Sequence, residues 1–133
     1  MPVSSTSPNT TFGTSFFGVI NDTTASIFNF DIPYSYAGLQ CSVLFLFPNQ
    51  TELVTSSYTF SGNGSIAFEQ LSTYATIDTT FDTTPNASST LNTIAVQPGN
   101  DYVVSSGACA AGTTQSIALA SLGGLSLEFF QDE

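Results

Sequence analysis

Turn-forming residues interrupt this chain at short intervals, and that punctuation limits the fold more than any other feature. The clearest stretch runs from Gln97 to Asp132, QPGNDYVVSSGACAAGTTQSIALASLGGLSLEFFQD. Pro98-Gly99-Asn100-Asp101 reads as a turn, Tyr102 to Ser106 as a strand, Ser116 to Ser121 as a second strand, Gly123-Gly124 as a tight turn, and Leu125 to Phe130 as a third strand. Upstream, Thr14 to Ile20 can form a strand with Phe16 and Phe17 as its bulky residues. Ser26 to Ile32 alternates with the period of two that marks a half-buried strand. Cys41 to Phe47 is apolar on both faces, the pattern of a central strand covered on both sides. Ser57 to Phe60 and Ser65 to Phe68 read as a hairpin around Gly62-Asn63-Gly64. Phe68, Leu71 and Ala75 fit a short helical turn, Thr79 to Asn92 a polar surface loop, and Asn92 to Val96 a strand.

No segment of helix length carries a sustained 3.6-residue period, so the chain is read as all-β. About eight or nine short antiparallel strands with frequent turns predict a β-sandwich of jelly-roll type. The Ser/Thr/Pro-rich residues 1–11 are expected to be a flexible arm and residues 12–133 a single sandwich domain. With 41% apolar residues, twelve Phe and five Tyr, the chain can fill a core, and no apolar run approaches membrane-spanning length.

Composition narrows function by subtraction. The 133 residues include no Lys, Arg, His or Trp and carry a net charge of −10. Without cationic side chains the protein cannot neutralise phosphates, which argues against nucleic acids, nucleotides and anionic membrane surfaces as partners. A hydroxyl nucleophile would have no His or Lys to activate it. An enzyme here would have to work with carboxylates and tyrosines. Glu69 and Glu128, on predicted strands flanked by apolar residues, are the carboxylate pair to test for a glycan hydrolase or lyase, which needs its two carboxylates roughly 5–9 Å apart across a cleft. Alternation along each strand places both toward solvent instead. Asp78, Asp82 and Asp101 could join a calcium site only through folding, since no EF-hand-type loop occurs. Tyr34 and Tyr36 could stack on a sugar or simply anchor their loop. No cofactor and no metal is expected.

Cys41 and Cys109 could be bridged, remain as two buried thiols, or form half of a metal site, which would lack a His or third Cys to complete it. Five sequons, at Asn9, Asn21, Asn49, Asn63 and Asn86, mark possible glycosylation of a secreted protein and favour the bridge. Met1 to Ser4 has neither the basic nor the apolar region of a leader and reads as the start of a processed chain.

Four blocks in order, CSVLFLFP (Cys41 to Pro48), YTFSGNGSIAF (Tyr58 to Phe68), QPGNDYVVSSGACAAGTTQSIAL (Gln97 to Leu119) and LSLEFFQD (Leu125 to Asp132), resemble the C-terminal domain family of the fungal But-two, or ubiquitin-three-binding, proteins. The resemblance implies a β-rich domain with paired cysteines, at positions that Cys41 and Cys109 match, and a fungal source, often with a secreted or wall-associated setting. Ala110 stands where family members commonly have Pro, and members usually continue past the FQD motif into another strand, so LEFFQD is expected to be an exposed sheet edge. The resemblance supplies no catalytic or binding residues. The leading expectation is a secreted, non-catalytic cell-surface or cell-wall protein with a structural, adhesive or glycan- or protein-binding role. The second, taken from the family name, is an intracellular adaptor binding the activating enzyme of a ubiquitin-like modifier. The third is a carboxylate-based glycan-active enzyme.

Overall fold

The computed structural model describes residues 1–13, 17–53 and 57–130. Among them are ten strands: β1 (Pro2–Ser4), β2 (Phe17–Ile20), β3 (Thr24–Ile32), β4 (Gln40–Phe47), β5 (Tyr58–Ser61), β6 (Ser65–Leu71), β7 (Ala87–Ile94), β8 (Asn100–Ala108), β9 (Thr113–Leu122) and β10 (Ser126–Phe130). All pairings are antiparallel. One layer is the five-stranded sheet β1-β3-β9-β6-β7, and the other is built from the three-stranded sheet β2-β10-β5 and the two-stranded sheet β4-β8.

The core lies between the layers. Ile66, Phe68, Ile117 and Leu119 from the large sheet meet Ile20, Phe47, Val104 and Leu127 from the opposing strands. Phe68 and Ile66 are almost wholly excluded from water, which stabilises the fold by roughly 1.5–3 kcal/mol for each such side chain. Aromatic edges bind across the layers and between the two sheets of the second layer. Phe45 packs edge-on against Phe68 at 5.6 Å, and Phe47 against Tyr58 at 4.9 Å and Phe60 at 5.2 Å.

A second, smaller core covers the outer face of the large sheet. Val3, Ile27, Leu71, Ala75 and Ala118 cluster there, under the N-terminal segment and the chain after β6. Ala75 N–H donates to Ser116 Oγ (2.8 Å), and Asn29 Nδ2 donates to the Ala75 carbonyl (2.9 Å), which seats this loop on β3 and β9. Residues 1–11, read as a loose arm, contain β1. Val3 is buried and pairs with Ala25, and the Met1 ammonium donates to the Ile27 carbonyl at 3.1 Å.

Several expectations change in the structure. The two Gly-flanked segments do not form a hairpin: β5 pairs with β10, and β6 pairs with β7 and β9. The intervening turn crosses between layers and lies against the β9–β10 turn. A Cβ at Gly62 would collide with the Gly124 carbonyl, and one at Gly64 with the Leu122 carbonyl. Those glycines serve a close approach of two turns. No helical turn follows Phe68, because β6 continues to Leu71. Phe68 belongs to the main core, whereas Leu71 and Ala75 belong to the outer one, so their spacing reflects two surfaces rather than one helix face. The loop assigned to Thr79–Asn92 gives way to β7 from Ala87. β10, expected at an exposed edge, is central, paired with β2 on one side and β5 on the other. β4, expected to be central, is at an edge, with β8 as its one ladder partner among the described residues. The first predicted strand is seen from Phe17 onward, and Phe16, Gln131 and Asp132 fall outside the described residues.

β2, in the opposing layer, is tied to the large sheet through one serine. Ser26, fully buried on β3, accepts a hydrogen bond from Val19 N–H (2.9 Å) and donates to the Val19 carbonyl (2.8 Å). Its hydroxyl thereby satisfies both backbone groups of a β2 residue where the chain passes from one layer to the other.

Candidate functional site

Cys41 and Cys109 form a disulfide between the start of β4 and the residue following β8, with Cα atoms 5.0 Å apart. The bridge closes one end of the two-stranded sheet. Cys109 N–H also donates to the Leu39 carbonyl at 3.0 Å, and at the other end Gly99 N–H donates to the Phe47 carbonyl at 2.6 Å. The ladder between them pairs Ser42 with Ser106, Leu44 with Val103 and Leu46 with Asp101, with a bulge after Val43. The Ser42 and Ser106 hydroxyls are hydrogen-bonded at 2.9 Å.

Alternation divides β4 between two environments. Val43, Phe45 and Phe47 point into the main core. Leu44 and Leu46 point outward and are 55% and 61% exposed, and Val103, facing Leu44 on β8, is 60% exposed. Three aliphatic side chains thus lie on one solvent face of a rigid ladder, with Asp101 exposed directly opposite Leu46. Single exposed aliphatics are ordinary on a protein surface, and here three lie adjacent.

Grooves run along the same strand. One, of ≈ 400 Å³, lies between β4 and the aromatics Phe28, Phe30 and Phe129. A second, of ≈ 550 Å³, lies between Leu46, Pro48, Leu53 and Tyr58. A third, of ≈ 460 Å³, lies beside the disulfide and includes Tyr36, Asp31 and Ser42. Of the carboxylates, these three grooves hold Asp31 alone, whose Oδ1 accepts from Thr114 Oγ1 at 2.6 Å.

The residues singled out from sequence are dispersed. Phe68 and Leu127 both enter the main core from opposite layers, so their neighbours Glu69 and Glu128 project from opposite outer faces. Glu69 aligns with Ala118, a member of the outer cluster, and Glu128 with Val19 and Thr59. They share no cleft, and the glycan-hydrolase arrangement is not formed. Asp78 and Asp82 sit in the loop over the outer core, while Asp101 is on β8. Tyr34 covers Gly112, where a Cβ would strike its ring, and Tyr36 lines the groove by the disulfide. The two rings serve different contacts. Of the sequon asparagines, Asn9, Asn49, Asn63 and Asn86 are exposed. Asn21 is half-buried and committed to a turn, its Oδ1 accepting from Thr23 N–H at 3.0 Å and Thr24 N–H at 2.9 Å.

Sequence reasoning did not single out Leu44, Leu46 and Val103. Their signal was present in CSVLFLF, whose even-numbered positions are as apolar as the odd ones, but it was read as burial on both sides.

Comparison with known proteins supplies the family. The family model described as "Ubiquitin 3 binding protein But2 C-terminal domain" matches residues 1–133, the full length of the chain. The chain belongs to this family. Among curated proteins none matches it. The family assignment overturns the leading expectation of a secreted structural or adhesive wall protein, because the family is described by its binding of ubiquitin 3. That expectation rested on sequons, a polar composition without basic residues and the wall-associated setting that the resemblance implied, and a Ser/Thr-rich chain generates sequons without such a role.

Proposed function

We propose that this domain is a protein-binding module and that the outer face of β4 and β8 docks a ubiquitin-related partner. The observation that carries the reading is the contiguous exposed set Leu44, Leu46 and Val103, held on a ladder that the Cys41–Cys109 bridge closes. The family description supports a protein as the partner class. The acidic composition supports a partner with basic residues around its own apolar patch, since the chain has no cationic side chain to offer. The disulfide supports folding in an oxidising environment.

Titration calorimetry with purified ubiquitin 3 tests the reading. Leu46→Asp and Val103→Asp should each weaken binding at least about tenfold, the scale of losing a buried aliphatic contact and burying a charge. Asp78→Asn, exposed in the loop over the outer face of the opposite layer, should leave it unchanged. Binding that is insensitive to both face variants would refute this surface.

A further inference from the structure

The outer face of β4 has an unusual neighbour, the strand's own second edge. The Leu39 and Phe47 carbonyls both accept from the β8 side. Because backbone groups alternate along a strand, the N–H and C=O of the odd-numbered residues between them point to β8. Those of Ser42, Leu44 and Leu46 point to the opposite edge. No strand among the described residues pairs with that edge.

Natural edges are usually guarded by lysine, proline, an inward charge or a short strand. β4 is eight residues long, QCSVLFLF, and has none of these between Gln40 and Phe47. Its bulge lies in the register with β8. Beyond the free edge is the ≈ 400 Å³ groove, where Phe28, Phe45 and Phe129 line an opening toward the main core. A carboxylate lies near the start of the exposed stretch, where Asp31 shares a groove with Ser42.

We propose that the free edge of β4 takes up an extended segment of a basic partner as an added strand. The inference rests on the reading of the β4–β8 face as a docking surface. Its main-chain groups pair with those of Ser42, Leu44 and Leu46. Its alternate side chains enter the groove or extend the Leu44–Leu46 face, and Lys or Arg at one end meets Asp31. This is strand addition, in which backbone bonds give affinity and alternate pockets give selectivity. A second copy of the chain is a poor occupant, because each copy carries −10 and no cationic side chain, so edge-to-edge pairing brings like charges together.

The test is amide hydrogen exchange, read by NMR on the full chain. The probes are synthetic peptides of about nine residues, long enough for a typical strand. One alternates Val and Thr with Lys at both ends, a second has Glu at both ends, and a third is the Lys-ended peptide with a central Pro. The Lys-ended peptide should slow exchange at Leu44 and Leu46 at least about tenfold, as expected of newly paired amides. The odd-numbered amides, already in the ladder, should change little. The effect should fade with added salt. Leu44→Ala should keep the protection at Leu46, whereas Leu44→Pro, which removes one edge donor, should lose it. No slowing with the Lys-ended peptide, equal slowing with the Glu-ended one, or edge protection arising from self-association without peptide would each overturn the proposal. Ubiquitin 3 separates the two readings. If it binds through Leu46 and Val103 yet leaves the Leu44 and Leu46 amides unprotected, strand addition is wrong and the docking face stands. If the Lys-ended peptide protects those amides while ubiquitin 3 does not bind, strand addition stands and the assigned partner is wrong.

Discussion

Removing the Cys41–Cys109 bridge should cost this domain a large fraction of its stability, and the amount can be worked from its position. The cysteines are 68 residues apart in sequence. In the chain-entropy model, closing a loop of that length removes about 15 cal/mol/K from the unfolded chain, or about 4 kcal/mol at 25 °C. Both cysteines are half-buried, so Cys41→Ala with Cys109→Ala removes little packing, and the loss falls mainly on the unfolded state. At about 2.1 cal/mol/K of unfolding entropy per residue, 133 residues convert that loss into a Tm lower by about 15 °C. Urea unfolding of the wild type and the double variant, followed by tyrosine fluorescence, should show the lower midpoint with a larger m-value, because the uncrosslinked chain exposes more surface. A loss below about 1 kcal/mol with an unchanged m-value would refute the reasoning, since it would mean that the bridge does not restrict the unfolded ensemble.

Other outcomes follow from single contacts. Ser26→Ala should destabilise the fold by roughly 2–4 kcal/mol in the same urea assay, because it strands both the N–H and the carbonyl of Val19. Gly64→Ala should cost roughly 1–3 kcal/mol, since its Cβ meets the Leu122 carbonyl, and Gly107→Ala, with open space around it, should cost less. The Met1 ammonium is half-buried, and desolvation lowers its pKa below 8.0. Between the lowered folded value and 8.0 the unfolded chain binds more protons, so stability should rise with pH through that window and level off above it. With no His, no Lys and no free cysteine, no other group competes there, and acetylating the amine should flatten the profile.

What could be read from sequence was local, and what escaped was relational. β8, β9 and β10 lie close to their predicted bounds because Gly99, Gly123 and Gly124 adopt positive φ and mark real chain reversals. The same logic failed at Gly62 and Gly64, where the need is for two turns to touch, and a turn's own sequence does not name its neighbour. Alternation in β3 was legible, but not that its outer face would be covered by Ala75 and the N-terminal segment. The carboxylates were seen as residues, yet whether Glu69 and Glu128 share a cleft depends on which layer each strand joins. The exposed aliphatic face of β4 and β8 was hidden for a related reason. An apolar outward position looks alike whether it is buried by the protein itself or kept for a partner.

The central place of β10 also bears on how the chain is made. β2 emerges from the ribosome early, but its one ladder partner among the described residues, β10, is synthesised roughly 110 residues later. At about 5–20 residues per second, that is a wait of roughly 5–20 s during which the apolar face and both edges of β2 have no sheet to join. The serine bond from β3 to Val19 is local and draws no atom from β10. It can hold the nascent β2 against β3 as a placeholder until Leu127 to Phe130 arrive and the second layer closes around them.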